Sequence, residues 1–283
     1  DKDNAKIPIL TLTSRNKAIA LKSGVQRAGL KDATVIASAK LKDVKKAPRQ
    51  KRRVRNSEIP ESMKEEDFRK QDIDIRLDEE LARYFRQWDF RGSLKVGGGF
   101  IASPYFPLKN RLNGFKGRFN SNEINISELR ISSGKSEIHA DGKLSGLRRM
   151  LTGRKNGMLN LDLNINSDSL DANELLKAYN AGAKFDEKTQ KKHLEHISDN
   201  DYQDAIAADT AAVGGEIQME TLVVPGNINA KVKLNVNNLR YTGLQVDSLT
   251  ATAIMKERCV QITDTELKSN VGDIGFEGFY ASR

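Results

Sequence analysis

From Leu159 to Ile165 every second residue is apolar (Leu159, Leu161, Leu163, Ile165), and the residues between them are Asn160, Asp162 and Asn164. A period of two belongs to a β-strand that buries one face. The pattern is stronger from Ile228 to Val236, where Ile228, Ala230, Val232, Leu234 and Val236 make one unbroken apolar face. Side chains of this kind contribute about 1.5–3 kcal/mol each when fully buried, so the face needs a cover. The cover is a second sheet, a helix or an apolar ligand. The chain therefore reads as mainly β: a long curved antiparallel sheet, β-groove or sandwich built from repeated strand units, with a few short covering helices.

The same alternation runs through most of the chain. Three or four strands are expected between Ile7 and Asp43, from "IPILTLTS", "KAIALKSG" and "ATVIASAKLKDV". Strands resume at "DFRGSLKVGGGFIAS" and continue from Gly114 to Gly146. There Ile124 and Ile126 alternate in one phase, and Leu129 and Ile131 in the other. A one-residue slip moves side chains to the opposite face, so this flip predicts a bulge or tight bend between Ile126 and Leu129.

Helical spacing occurs twice with clear ends. In "RLDEELARYFRQW" Leu77, Leu81, Tyr84, Phe85 and Trp88 fall on one face, with Asp78 and Glu79 at the start, which predicts a helix over 76–88 covering a sheet. After Ile165 the period changes, and a cap near Asp171 begins a helix carrying Leu175, Leu176 and Tyr179. Leu161 is expected to be intolerant of Asp, and Asn164, on the opposite face, to accept it.

The organisation follows as 1–44, N-terminal strands; 45–75, a basic and charged linker or excursion; 76–180, a helix and a first β-unit; 181–225, a charged insertion, mobile in part; and 226–283, a second β-unit. Within the insertion, "DEKTQKKHLEHISD" and "NDYQDAIAADTAA" are short-helix candidates. The two β-units are similar in sequence. Ile124 and Ile126 align with Val260 and Ile262, Leu129 falls near Leu267, and Ile138 and Gly142 align with Ile274 and Gly278.

The formal net charge is +9, and charged residues make up 30% of the chain, enough to favour anionic partners but also enough for plain solubility. Lys45, Lys46, Arg49, Lys51, Arg52, Arg53 and Arg55 form one basic run. It reads first as a solvated linker and second as a patch for an anionic surface. No aromatics are interleaved, so nucleic acid is not the expected partner. No run of 18 apolar residues is present, and the opening "DKDNAKIPIL" has the character of mid-protein sequence, leaving room for a membrane anchor upstream.

No catalytic set, metal site or cofactor is expected, and the chain does not read as an enzyme. His139 lies on a strand, and His193 and His196, in "HLEH", have no further ligands nearby. Cys259 is alone and reads as a buried or half-buried structural thiol. Gly97, Gly98 and Gly99 lack the Lys-Ser or Lys-Thr of a phosphate loop and suit a strand end instead.

"LNLDLNINSDSLDANELL", "INISELRISSGKSEIHADGKLSG" and "VQITDTELKSNVGDIGFEGFYAS" together resemble the C-terminal region of the AsmA family, whose relatives include TamB-like proteins. The resemblance runs from Gly92 to Arg283, apart from Gly182 to Thr221. It implies a non-enzymatic periplasmic protein of the Gram-negative cell envelope, anchored in the inner membrane and involved in outer-membrane biogenesis and lipid transport. It implies phospholipid or another envelope lipid as partner, and other envelope proteins besides. Leu159, Leu161, Leu163, Ile165, Ile228, Val232, Leu234 and Val236 are then the lipid-facing candidates. At about 4.8 Å per strand, a dozen strands would give a groove on the order of 50 Å long. The alternative reading is a β-rich interaction scaffold, adhesion-like, whose own sheets and helices cover its apolar faces and which binds proteins or glycans at loops and edges. An open apolar trough favours the first reading, and a closed core the second.

Overall fold

The computed structural model describes residues 10–13, 19–23, 25–42, 75, 77–153, 157–183, 185, 194, 196–198, 201–212 and 224–281. The basic run from Lys45 to Arg55 lies outside the described residues, as does His193.

The protein is mainly β, with a single open sheet. Its strands are β1 (Leu10–Thr13), β2 (Ile19–Ser23), β3 (Gln26–Lys31), β4 (Thr34–Leu41), β5 (Trp88–Val96), β6 (Gly98–Ser103), β7 (Phe106–Asn120), β8 (Glu123–Ser133), β9 (Ser136–Ser145), β10 (Leu159–Asp171), β11 (Ile228–Tyr241), β12 (Leu244–Lys256), β13 (Cys259–Ser269) and β14 (Gly272–Ala281). Four helices are described: α1 (Glu79–Gln87), α2 (Leu147–Leu151), α3 (Ala172–Ala183) and α4 (Tyr202–Ala212).

The sheet order is β1-β4-β5-β7-β8-β9-β10-β11-β12-β13-β14, with β2, β3 and β6 branching from β7. Register shows that the branch continues the same ribbons. Arg91↔Asn120 to Val96↔Phe115 and Gly99↔Leu112 to Ile101↔Asn110 follow one register along β7, so β5 and β6 are one strand interrupted at Gly97. Likewise β3 and β4 pair in one register with β6 and β5, interrupted at Asp32 and Ala33. The two interruptions are adjacent: the Gly97 amide donates to Lys31 O at 3.2 Å and Asp32 O at 3.3 Å. The β7–β8 register shifts between Leu112 and Gly114, in line with them. Irregularities lined up across neighbouring strands bend a sheet along that line.

Every pair of neighbours is antiparallel except β10 and β11, which run parallel from Leu159↔Ile228 to Asp171↔Arg240. The purely antiparallel expectation is corrected here, and the reason is the connection. Residues 172–227 form a crossover containing α3 and α4, and a crossover of this length allows a parallel return. Asparagines line the polar face of this seam: Asn229 donates to Asn160 at 3.1 Å, and Asn235 to Asn166 at 3.5 Å.

The repeat is exact in register. Hairpin β8–β9 recurs 136 residues later as β13–β14, with Ile126↔Gly142 becoming Ile262↔Gly278. The bulge expected between Ile126 and Leu129 is present, and its counterpart lies between Ile262 and Thr265. One alignment is corrected: Leu129 corresponds to Thr265, and Ile131 to Leu267. Thr265 is 6% exposed and its hydroxyl has no hydrogen-bond partner among the described residues. Thr265→Val should therefore stabilise the protein by about 1 kcal/mol, read as a rise in melting temperature.

Helix α1 begins as expected, with Asp78 accepting from the Leu81 amide at 2.9 Å. Its predicted covering stripe is only partly buried: Leu81 and Tyr84 are 49% and 50% exposed, whereas Ala82 is buried and Phe85 packs on Phe90. The cause is position, since α1 lies at the strand ends, tied to α2 by the Leu77 amide and Leu151 O at 3.0 Å, and does not lie flat on the sheet. Asp171 caps α3, accepting from the Glu174 amide at 3.1 Å.

The crossover is not merely an excursion. Tyr202 and Ile206 of α4 are buried with Leu194, Val25 and Ala102, and Phe100 packs against them. Arg27 Nη1 and Nη2 donate to Ile197 O and Leu194 O, both at 2.7 Å, and its guanidinium stands 3.8 Å from the centroid of the Tyr202 ring. The Tyr202 hydroxyl donates to Val25 O.

Candidate functional site: an apolar row across the sheet

Register places Val35, Leu94, Gly117, Ile126, Gly142, Leu163, Val232, Ala253, Ile262 and Gly278 side by side, one on each of β4, β5 and β7 to β14. Every member is apolar or glycine. The next row toward the α2 end, Ala37, Gly92, Phe119, Ile124, Leu144, Leu161, Ala230, Met255, Val260 and Tyr280, has the same character. At about 4.8 Å per strand such a row is on the order of 45 Å long.

The sheet's ends are covered and its middle is not. Near one end Met150 and Leu147 of α2 pack with Leu159, Ile228 and Ala230. Toward the other, Val236, Leu239 and Val246 are buried, with Leu170 at the end of β10 and Ala172 at the start of α3 packed against them. A third cluster, around Ala33, Val96 and Leu112, occupies the bend. Each cluster joins neighbouring strands, and two of them recruit a helix end, so no second sheet lies on this face among the described residues. Between the covered ends Ile126, Leu163, Ala253 and Ile262 remain only half-buried.

The eight lipid-facing candidates thus separate by burial. Leu163 and Ile165 are half-buried in the open middle, whereas Leu161 and Val232 are half-buried against the α2 cluster and Leu234 against the cluster at the start of α3. Leu159, Ile228 and Val236 are buried and floor its ends. Sequence reasoning nominated only β10 and β11, whereas the register adds Leu94, Ile126, Ala253 and Ile262 to the same row. The alternation of each strand carried that signal, but the alignment between strands is a property of register.

Glycine has a specific part in the row. Gly142 has φ +144°, and a Cβ there would come within 2.1 Å of Asp162 O and 2.9 Å of Leu163 Cα. Its repeat counterpart Gly278 has nothing within 4 Å of that position, because β14 is an edge. All of β14 is exposed, including Phe276 and Phe279.

Among the described residues no group of His, Cys, Asp and Glu could hold a metal ion, and no helix is long and apolar enough to cross a membrane. His139 is on β9, and Cys259 is half-buried at the start of β13. Fold and row define an open, single-layered β-sheet protein with an apolar stripe across one face. Compared with protein-family models, with curated proteins and with solved structures, the chain matches none.

Proposed function

We propose that the chain is a non-enzymatic carrier of envelope lipid, of the AsmA type, which shields acyl chains along the apolar row. The supporting observation is the half-exposed stripe between two covered ends. Apolar side chains that the protein's own helices leave half-uncovered gain from an apolar ligand, at about 0.8 kcal/mol for each CH₂ removed from water. The stripe's opposite face is polar and its rows carry Asn, Asp and Lys, which suits a sheet wet on one side only. Periplasmic location, inner-membrane anchoring and a place in outer-membrane biogenesis belong to the same proposal and rest on the resemblance.

The test is native mass spectrometry after incubation with phosphatidylethanolamine. The wild type should retain phospholipid, and Leu163→Asp, which puts a carboxylate in mid-row, should lose most of it while keeping its circular dichroism. Absence of bound lipid from the wild type, or equal retention by folded Leu163→Asp, would sink the reading. The exposed β14 edge favours the scaffold reading, since a free strand edge is a template for a partner's strand. In that case a protein partner, and no lipid, would be retained.

A further inference from the structure

We propose that a cavity of about 990 Å³ on the polar face of β4, β5 and β7 is a binding site for a phosphate group, in particular that of a phosphate ester. Register puts Ile36, Ser93, Arg118 and Asn125 in one row of that face, and Ser38, Arg91 and Asn120 in the next. Arg91 and Arg118 are therefore diagonal neighbours on adjacent strands, roughly 7–8 Å apart at the backbone and within reach of one another's guanidinium. Arg149 of α2 joins them at the rim.

The charges in this cavity are not balanced. The carboxylate among its lining residues, Asp89, is already engaged by Arg148 at 2.6 Å and Lys42 at 3.8 Å. Neighbouring basic side chains on the same face are paired: Lys116 and Arg130 share Glu128, and Lys143 holds Glu123 at 2.6 Å, a carboxylate at the cavity edge that also accepts from Asn120 of the lining. The hydrogen bond from Lys116 holds the Glu128 carboxyl below its ordinary value. Among the described residues Arg91, Arg118 and Arg149 line the cavity without an ion pair of their own, and an anion removes their mutual repulsion.

The chemistry of the donors selects among anions. Guanidinium groups bind phosphate through paired parallel hydrogen bonds, and Ser93 adds a neutral donor, whereas the Asn120 side-chain amide is already given to Glu123 at 3.1 Å. The volume exceeds what inorganic phosphate fills and lies within the range of small-ligand sites. Ile36, exposed on this face, offers an apolar contact beside the arginines. The arginines stand on the face opposite the apolar row, while Ala37, Gly92 and Phe119 of the second row complete the lining, so the two readings meet at this edge and are separated by the ligands that test them.

The experiment is calorimetric titration of the chain with inorganic phosphate and, in parallel, with dihexanoyl phosphatidate below its micellar concentration. Saturable binding is expected, and Arg91→Gln and Arg118→Gln should each weaken it about tenfold. Arg118→Lys, which keeps the charge but not the paired geometry, should fall between. Lys233→Gln, on the same face but far from the cavity, should change nothing. Tighter binding of the ester than of phosphate, with vesicles of phosphatidylcholine and phosphatidate recruiting wild type but not Arg91→Gln, assigns the site to a lipid headgroup. Equal binding, without recruitment, assigns it to the free anion. No saturable binding of either ligand, or a loss in Lys233→Gln equal to that in Arg91→Gln, overturns the proposal. Neither titrant has a long acyl chain, so this result and that for the groove can fail separately.

Discussion

Gly142→Ala should destabilise the protein by about 3 kcal/mol or more, while Gly278→Ala, at the same place in the repeat, should change stability by no more than about 0.5 kcal/mol. Both glycines oppose an isoleucine of the preceding strand, Ile126 and Ile262. They differ in what lies on their other side. Strand β10 crosses beside Gly142, so a methyl group would meet the Asp162 carbonyl at 2.1 Å, and φ +144° is a conformation side chains rarely adopt. The added group could be accommodated only by parting β9 from β10 at Leu163, in the middle of the apolar row. Gly278 faces open space, and alanine there only reduces the freedom of the unfolded chain. Urea titration of both variants gives the comparison. An equal loss would mean that another strand covers the β14 edge in solution.

Arg27→Ala should have an effect of similar size, about 3 kcal/mol, by a different mechanism. Arg27 is 6% exposed and donates to two carbonyls of the crossover, Leu194 O and Ile197 O. Its removal leaves both carbonyls without that donor and opens a hole against the Tyr202 ring. Arg27→Lys keeps the charge but cannot fork to both carbonyls, so it should recover only part of the loss. The damage should be local first, with hydrogen exchange in α4 rising before that of β8 to β13. Unchanged exchange in α4 would show that the crossover is held elsewhere.

The same knot predicts a dependence on alkaline pH. Burial raises the Tyr202 hydroxyl above its ordinary value of 10.0, with the Arg27 charge acting in the opposite sense. A raised folded-state value means that the unfolded chain releases this proton first. The contribution is therefore complete below pH 10 and is lost as pH rises through the folded value. Tyr202→Phe should flatten that part of the stability profile.

Much of the sheet is legible in the sequence because alternation and phase are local. The flip from Ile126 to Leu129 announces its bulge without knowledge of any partner strand. Asp171 announces its helix for the same reason. The seam between β10 and β11 is not legible in this way, since parallel and antiparallel strands with one apolar face carry the same alternation. What distinguishes them is the long connection, visible only once the two strands are known to be neighbours. The exposed side of α1 is not legible either, because spacing identifies an apolar face but not what is there to cover it. Alternation places Asn164 on the polar face but does not reveal its partner there, Asp141, to which its side chain donates at 2.9 Å. The arginine cavity is the extreme case, since residues 36, 93 and 118 meet only through the register of three strands.

Photocrosslinking tests the central claim most directly. A benzophenone side chain is placed at Leu163, in the apolar row, or at Lys233, on the opposite face of the neighbouring strand, and the protein is equilibrated with phospholipid before irradiation. Adducts on acyl carbons from position 163 and none from position 233 are the predicted result. Equal labelling at the two positions, or none at 163 in a protein that remains folded, would contradict an acyl-chain groove.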